Sequence, residues 1–164
     1  MSDNHEHTLE GGEATTTDLL PSFFSQPTSD SFGIAHLLGM QFVRGQDGIG
    51  QIRIAVDKRL MHPQQMVHGG VIFTLADTAM SLALASVIPP GTPFGTIEAK
   101  INYLLPVREG ELLAEGKVVH LGGTTAVIEA TVYNSAAEQK RAIAQVLGTF
   151  YIRRAKSTQN NNNT

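Results

Sequence analysis

The 164-residue chain contains no cysteine. That excludes a disulfide framework, a thiolate metal site and a cysteine nucleophile, and it suits a cytoplasmic, reducing location. No run reaches the roughly 18–20 consecutive apolar residues of a membrane span, so no membrane association is expected. Residues 1–43 carry no Lys or Arg, only six acids (Asp3, Glu6, Glu10, Glu13, Asp18 and Asp30), and the basic start of a secretory leader is missing. The remainder holds twelve bases against nine acids, a balance of +3. That mild excess suits a phosphate-bearing ligand, but it forms no basic patch of the kind nucleic acids require. His5, His7, His36 and His120 lack ligand spacing, and no metal is expected.

What is present organises into one domain. Residues 1–20 are polar and aperiodic and read as a disordered acidic tail; residues 157–164, with four consecutive Asn, read as a second disordered tail. The folded domain is expected over 21–156. Ser29 or Asp30 is placed to cap a short helix through Leu38, ended by Gly39. Gln41 to Val43 and Ile49 to Val56 read as strands around the turn Gly45-Gln46-Asp47-Gly48. Asp57 to Val67 reads as a loop. Gly69 to Ser86 is nearly all apolar, which predicts a helix buried on most sides, stopped by Pro89-Pro90-Gly91. Strands are expected over Thr96–Leu105, Glu111–Leu121, Thr124–Tyr133 and Arg141–Arg153, with turns at Glu109-Gly110, Gly122-Gly123 and Asn134-Ser135. The expected class is α+β: one long helix wrapped by an antiparallel sheet of five to six strands.

The chemistry concentrates in Val67-His68-Gly69-Gly70-Val71-Ile72-Phe73-Thr74-Leu75-Ala76-Asp77-Thr78-Ala79-Met80. Two glycines open the helix and a carboxylate follows two turns in. Bare amides at a helix start stabilise negative charge on an oxygen. A carboxylate buried among apolar neighbours is a candidate nucleophile or base. Asp is a poor residue for an apolar helix interior, and a purely structural Asp77 needs a buried partner that the sequence does not supply. Asp77 lies eight residues beyond Gly69, about 12 Å along the axis. One protomer therefore cannot bring both groups to the same carbonyl. A two-fold dimer with antiparallel helices can.

This run, with the later Asn102-Tyr103-Leu104 to Pro106 stretch and the final Gly148-Thr149-Phe150 strand, resembles the PaaI-like acyl-CoA thioesterases of the hotdog fold. The resemblance covers about residues 36–153. It implies a hotdog domain that hydrolyses an aryl- or medium-chain acyl-CoA to the free acid and coenzyme A, in phenylacetate or fatty-acid metabolism. It further implies an active site at the interface of a homodimer, a homotetramer of two dimers, and no cofactor. In that family Asp77 is the nucleophile or the base that activates water, and the Gly69 N–H polarises the carbonyl. His68 matches the motif histidine, either holding the loop or moving a proton. His62 stands where the family has Asn or Gln, and Gln65 where it has Gly. His62 is either a donor that also titrates near neutrality or a solvated loop histidine, and Gln64 or Gln65 is the alternative contact. Thr96 and Ser81 are placed to assist Asp77, or are a plain strand threonine and helix hydroxyl. Met66, Gly70, Phe73, Met80 and Phe94 are candidates to line the acyl pocket, and Arg108, Arg153, Arg154 and Lys156 to meet coenzyme A phosphates.

Two other functions fit parts of the pattern. Hotdog domains also serve as non-catalytic acyl-CoA-binding modules, but such regulators carry a DNA-binding domain, for which the first 30 residues are too short. An acyl-carrier-protein thioester presents the same reacting bond. The His-and-acid loop of hotdog hydratases is not found.

Overall fold

A computed structural model describes residues 33–136 and 139–153. The candidate caps Ser29 and Asp30, both proposed tails, Arg154 and Lys156 lie outside the described residues. The elements are α1 (Ile34–Leu38), β1 (Gln41–Gln46), β2 (Ile49–Ala55), a 3-10 turn (Lys58–Leu60), β3 (Met61–His62), β4 (Met66–Val67), α2 (Gly69–Ala85), β5 (Phe94–Tyr103), β6 (Glu111–Leu121), β7 (Thr125–Ala136) and β8 (Gln139–Ile152). The long strands form one antiparallel sheet in the order β1-β2-β6-β7-β8-β5, with α2 packed on one face. This is the expected helix-and-sheet hotdog architecture.

The sheet is lined with small residues where α2 crosses it. Gly50 and Gly116 are directly opposite each other in the β2–β6 ladder. A Cβ on Gly116 would lie 2.6 Å from the Ala79 carbonyl carbon and oxygen. Ala79, Met80, Ala83 and Leu75 of α2 are fully buried against Ala114, Ile128, Val132 and Phe150 of the sheet. Burying a Leu side chain such as Leu75 contributes about 1.5–3 kcal/mol.

The helix is buried on most sides, as expected: eight of its 17 residues are buried and only Gly70 is exposed. Thr74, Asp77, Thr78 and Ser81 form a half-buried stripe, reached from the edge strand of the sheet by Thr96. Their spacing of three and four residues puts them on one helical face. Thr74 and Thr78 turn their hydroxyls inward, donating to the carbonyls of Gly70 (2.8 Å) and Thr74 (2.7 Å).

Several boundaries differ from the sequence reading. Strand β1 runs on to Gln46, so the hairpin turn is only Asp47-Gly48, with φ +55° and +76°. Positive φ at both positions matches the twist of a two-residue hairpin. The expected loop 57–67 contains the 3-10 turn and the β3–β4 hairpin. Asn134 is not a turn residue. It pairs with Arg141 in the β7–β8 ladder, and its Nδ2 donates to the carbonyls of Glu109 (2.9 Å) and Glu111 (3.2 Å). The helix α1 has Gly33, with no side-chain cap, at its N-terminus.

Candidate active site

The β3–β4 hairpin delivers the chain to the start of α2. His62 pairs with Met66 across a three-residue loop, closed by the Gln65 N–H donating to the His62 carbonyl at 2.9 Å. The third loop residue of such a turn takes a left-handed conformation. Gln65 does so, at φ +59°, a conformation that suits glycine best. The Gln64 N–H donates to His62 Nδ1 at 3.1 Å. His62 therefore uses one ring nitrogen to brace its own turn, and the other carries the proton. Backbone bonds from Val67 N–H to the Val107 carbonyl (2.9 Å) and from His68 N–H to the Leu60 carbonyl (2.8 Å) lock the loop in place.

His68 is the N-cap of α2. Its Nδ1 accepts from the Gly70 N–H at 2.9 Å, and its carbonyl accepts from the Val71 N–H at 2.9 Å. These bonds satisfy two of the donors a helix start leaves bare. Among the described residues no group accepts from the Gly69 N–H. Tyr103, at the end of β5, closes over this first turn and donates from Oη to the Gly69 carbonyl at 2.9 Å.

Two turns along α2, Asp77 accepts a hydrogen bond from Thr96 Oγ1 at 2.8 Å. The expected burial of the carboxylate is not met within one chain. Asp77 is half-buried, and no polar or charged residue among those described is fully buried. Thr96 reaches Asp77 because β5 carries a bulge. The ladder pairs Glu98 with Thr149 on the outer face and Thr96 with Phe150 on the helix face, which leaves Ile97 as the extra residue. Bulges re-aim side chains in this way. Ser81 lies on the same helical face as Asp77, half-buried, but no hydrogen bond joins them.

The remaining candidates divide. Gln64 and Gln65 are exposed at the hairpin tip; Met66, Phe73 and Phe94 are half-buried, and Gly70 is exposed at the helix start. Met80 does not line a surface pocket. It is completely buried in the core, where α2 crosses the sheet. Arg108 is exposed and follows Val107, so it belongs to the helix-start end. Arg153 is exposed at the far end, where its N–H donates to the Pro93 carbonyl at 2.8 Å. Sequence reasoning missed Tyr103 as a contact of Gly69 and missed the bulge; a tyrosine pairing with a glycine 34 residues away leaves no local signature. Among the described residues no helix is long and apolar enough to cross a membrane.

Comparison with known proteins agrees with this geometry. The family model described as the thioesterase superfamily matches residues 64–139, which takes in β4, α2 and β5 through β7 but not β3 and its His62. A protein of Archaeoglobus fulgidus, provisionally named an esterase, is 37% identical over 116 residues, covering 70% of this chain and 71% of its own. The 1,4-dihydroxy-2-naphthoyl-CoA hydrolase of Listeria monocytogenes is 28% identical over 97 residues, 59% of this chain and 79% of that one. Among solved structures, the E. coli PaaI protein of the phenylacetic acid degradation operon superposes with a TM-score of 0.65 at 27% identity, covering 73% of this chain and 83% of that one. With a capped glycine pair opening its one long helix and a hydroxyl-bound aspartate two turns in, the chain belongs to the thioesterase superfamily, as a PaaI-like thioester hydrolase of the hotdog fold.

Proposed function

We propose that this protein hydrolyses an acyl-CoA thioester, of an aryl or medium-chain acid, at a site completed by two copies of the chain. The observation that carries the reading is the unengaged Gly69 N–H at the start of the helix that also bears Asp77. The two groups are about 12 Å apart along one helix, so a second copy running antiparallel supplies the Asp77 that faces a given Gly69. In the reaction, the Gly69 N–H donates to the thioester oxygen as it takes up negative charge. Asp77 of the second copy either attacks the carbonyl carbon or takes the proton of the attacking water. The tetrahedral intermediate then collapses, the C–S bond breaks and coenzyme A leaves as the thiolate; with water as nucleophile the free acid forms at once, and with Asp77 as nucleophile water then hydrolyses the acyl–Asp77 anhydride to the acid and the free carboxylate. Thr96 orients the carboxylate by its 2.8 Å bond. The free His62 nitrogen, as a donor, is suited to position the carbonyl or the water. No cofactor is required by this chemistry.

An aryl acyl group is favoured by the names of two relatives, a dihydroxynaphthoyl-CoA hydrolase and a protein of phenylacetic acid degradation. Half-buried Met66, Phe73 and Phe94 offer apolar surface for it, and Arg108 and Arg153 offer charge for the coenzyme A phosphates. The proposed assembly is a tetramer of two dimers in a cytoplasmic setting. The test is thiol release from phenylacetyl-, benzoyl-, short-, medium- and long-chain acyl-CoA, with Asp77→Asn as control. Hydrolysis by the wild type should fall about 100-fold in Asp77→Asn, as for a lost general base. A folded wild-type dimer that turns over no thioester in the panel would instead support a carrier-protein substrate or a binding module.

A further inference from the structure

Gly69 and Gly70 are the least restrained pair of residues that could open a helix. The proposed oxyanion donor nevertheless sits on the first of them, and such a donor stabilises charge only when it is held at a fixed position. Two side chains supply the restraint. The peptide group joining Gly69 to Gly70 is held at both ends: Tyr103 Oη donates to its carbonyl at 2.9 Å, and its N–H donates to His68 Nδ1 at 2.9 Å. The same two side chains leave little room for a Cβ at either position. A Cβ on Gly69 would meet Tyr103 Oη at 3.0 Å and Cζ at 3.1 Å, and a Cβ on Gly70 would meet His68 Nδ1 at 3.0 Å. Tyr103 is 52% exposed, so it is no core anchor. Its hydroxyl ends on the helix rather than in open solvent. With the Gly70 N–H engaged, the Gly69 N–H is left as the free donor of the pair.

We infer that Tyr103 is a positioning residue of the active site: together with His68 it clamps the Gly69–Gly70 peptide on one side of Gly69, while the Val71 N–H bond to the His68 carbonyl holds the His68–Gly69 peptide that carries the Gly69 N–H, so that Gly69 is fixed from both sides. The inference rests on the reading of Gly69 as the oxyanion donor. It also gives β5 a double task, because that strand holds Asp77 through Thr96 at one end and Gly69 through Tyr103 at the other.

The experiment is Tyr103→Phe, which keeps the ring and removes only the hydroxyl. Steady-state kinetics on the best acyl-CoA substrate are read alongside amide hydrogen exchange at Gly69, Gly70 and the β6–β7 core. The expected result is a fall in kcat of about tenfold with KM within about twofold, the split that marks an interaction realised in the transition state. Exchange at Gly70 should quicken several-fold while the core amides stay unchanged. Unchanged kcat, a loss confined to KM, or faster exchange throughout the core would each overturn the positioning role. A folded wild type inactive on every thioester would defeat the oxyanion reading itself, an outcome distinct from an active wild type indifferent to Tyr103→Phe.

Discussion

Gly116→Ala tests whether the sheet holds α2 by direct backbone contact. The added methyl would lie 2.6 Å from the carbonyl carbon and oxygen of Ala79 and 2.7 Å from Met80 N, against the 3.4 Å at which ordinary contact begins. The deficit is about 0.8 Å (3.4 less 2.6). All three atoms are helix backbone, so no side-chain rotation relieves it. Either α2 or β6 must move, and Gly50, opposite in the ladder and closer still to α2, leaves no slack on the neighbouring strand. Overpacking of this kind costs about 1–3 kcal/mol, offset in part by the roughly 0.5–1 kcal/mol that Ala gains over Gly in a strand. Taken at the middle of both ranges, the net loss of about 1.25 kcal/mol in a domain of this size lowers Tm by about 3–7 °C. Thermal unfolding followed by circular dichroism would read it. Gly45→Ala is the control: its Cβ would meet only side chains, Phe42 Cε2 at 3.2 Å and Leu82 Cδ2 at 3.5 Å, which can shift. Thioester hydrolysis should fall with Tm, because the displaced helix carries Gly69 and Asp77. If Gly116→Ala melts no lower than Gly45→Ala, the helix is not seated on that glycine pair.

Gln65→Gly relieves a left-handed backbone at φ +59°. A non-glycine residue there costs about 1–2 kcal/mol, so the variant should gain about 0.5–1 kcal/mol after the entropy of glycine is counted, seen as a higher urea midpoint. Asp57 caps the 3-10 turn, and its side-chain hydrogen bond to Arg59, with the backbone bond from the Arg59 N–H, holds its carboxyl below the ordinary 3.8. A depressed folded value means that this stabilisation is complete above the unfolded pKa and is lost as pH falls through the folded one. The stability difference between wild type and Asp57→Ala should therefore be constant at neutral pH and shrink below about pH 4; a difference that persists unchanged at lower pH would contradict the pairing.

Much of this protein is legible in its sequence because the signals are local. The long apolar run between Gly69 and Pro89 can only be a helix or its equivalent in length, and β6 begins and ends at Glu111 and Leu121 as its flanking glycines indicate. His68, Gly69 and Asp77 stand out because each breaks the apolar pattern around it. The tertiary structure decided what depends on residues far apart in the chain. The half-buried stripe around Asp77 exists because α2 packs chiefly on β2, β6 and β7 of the sheet and meets its edge strand β5 only sparsely. Met80 lies in the core because its side of the helix faces that sheet. The β5 bulge turns Thr96 toward Asp77, and a tyrosine 34 residues downstream of Gly69 closes over the helix start. Periodicity along a chain reports which residues share a face; only the packing of one element on another fixes what that face meets.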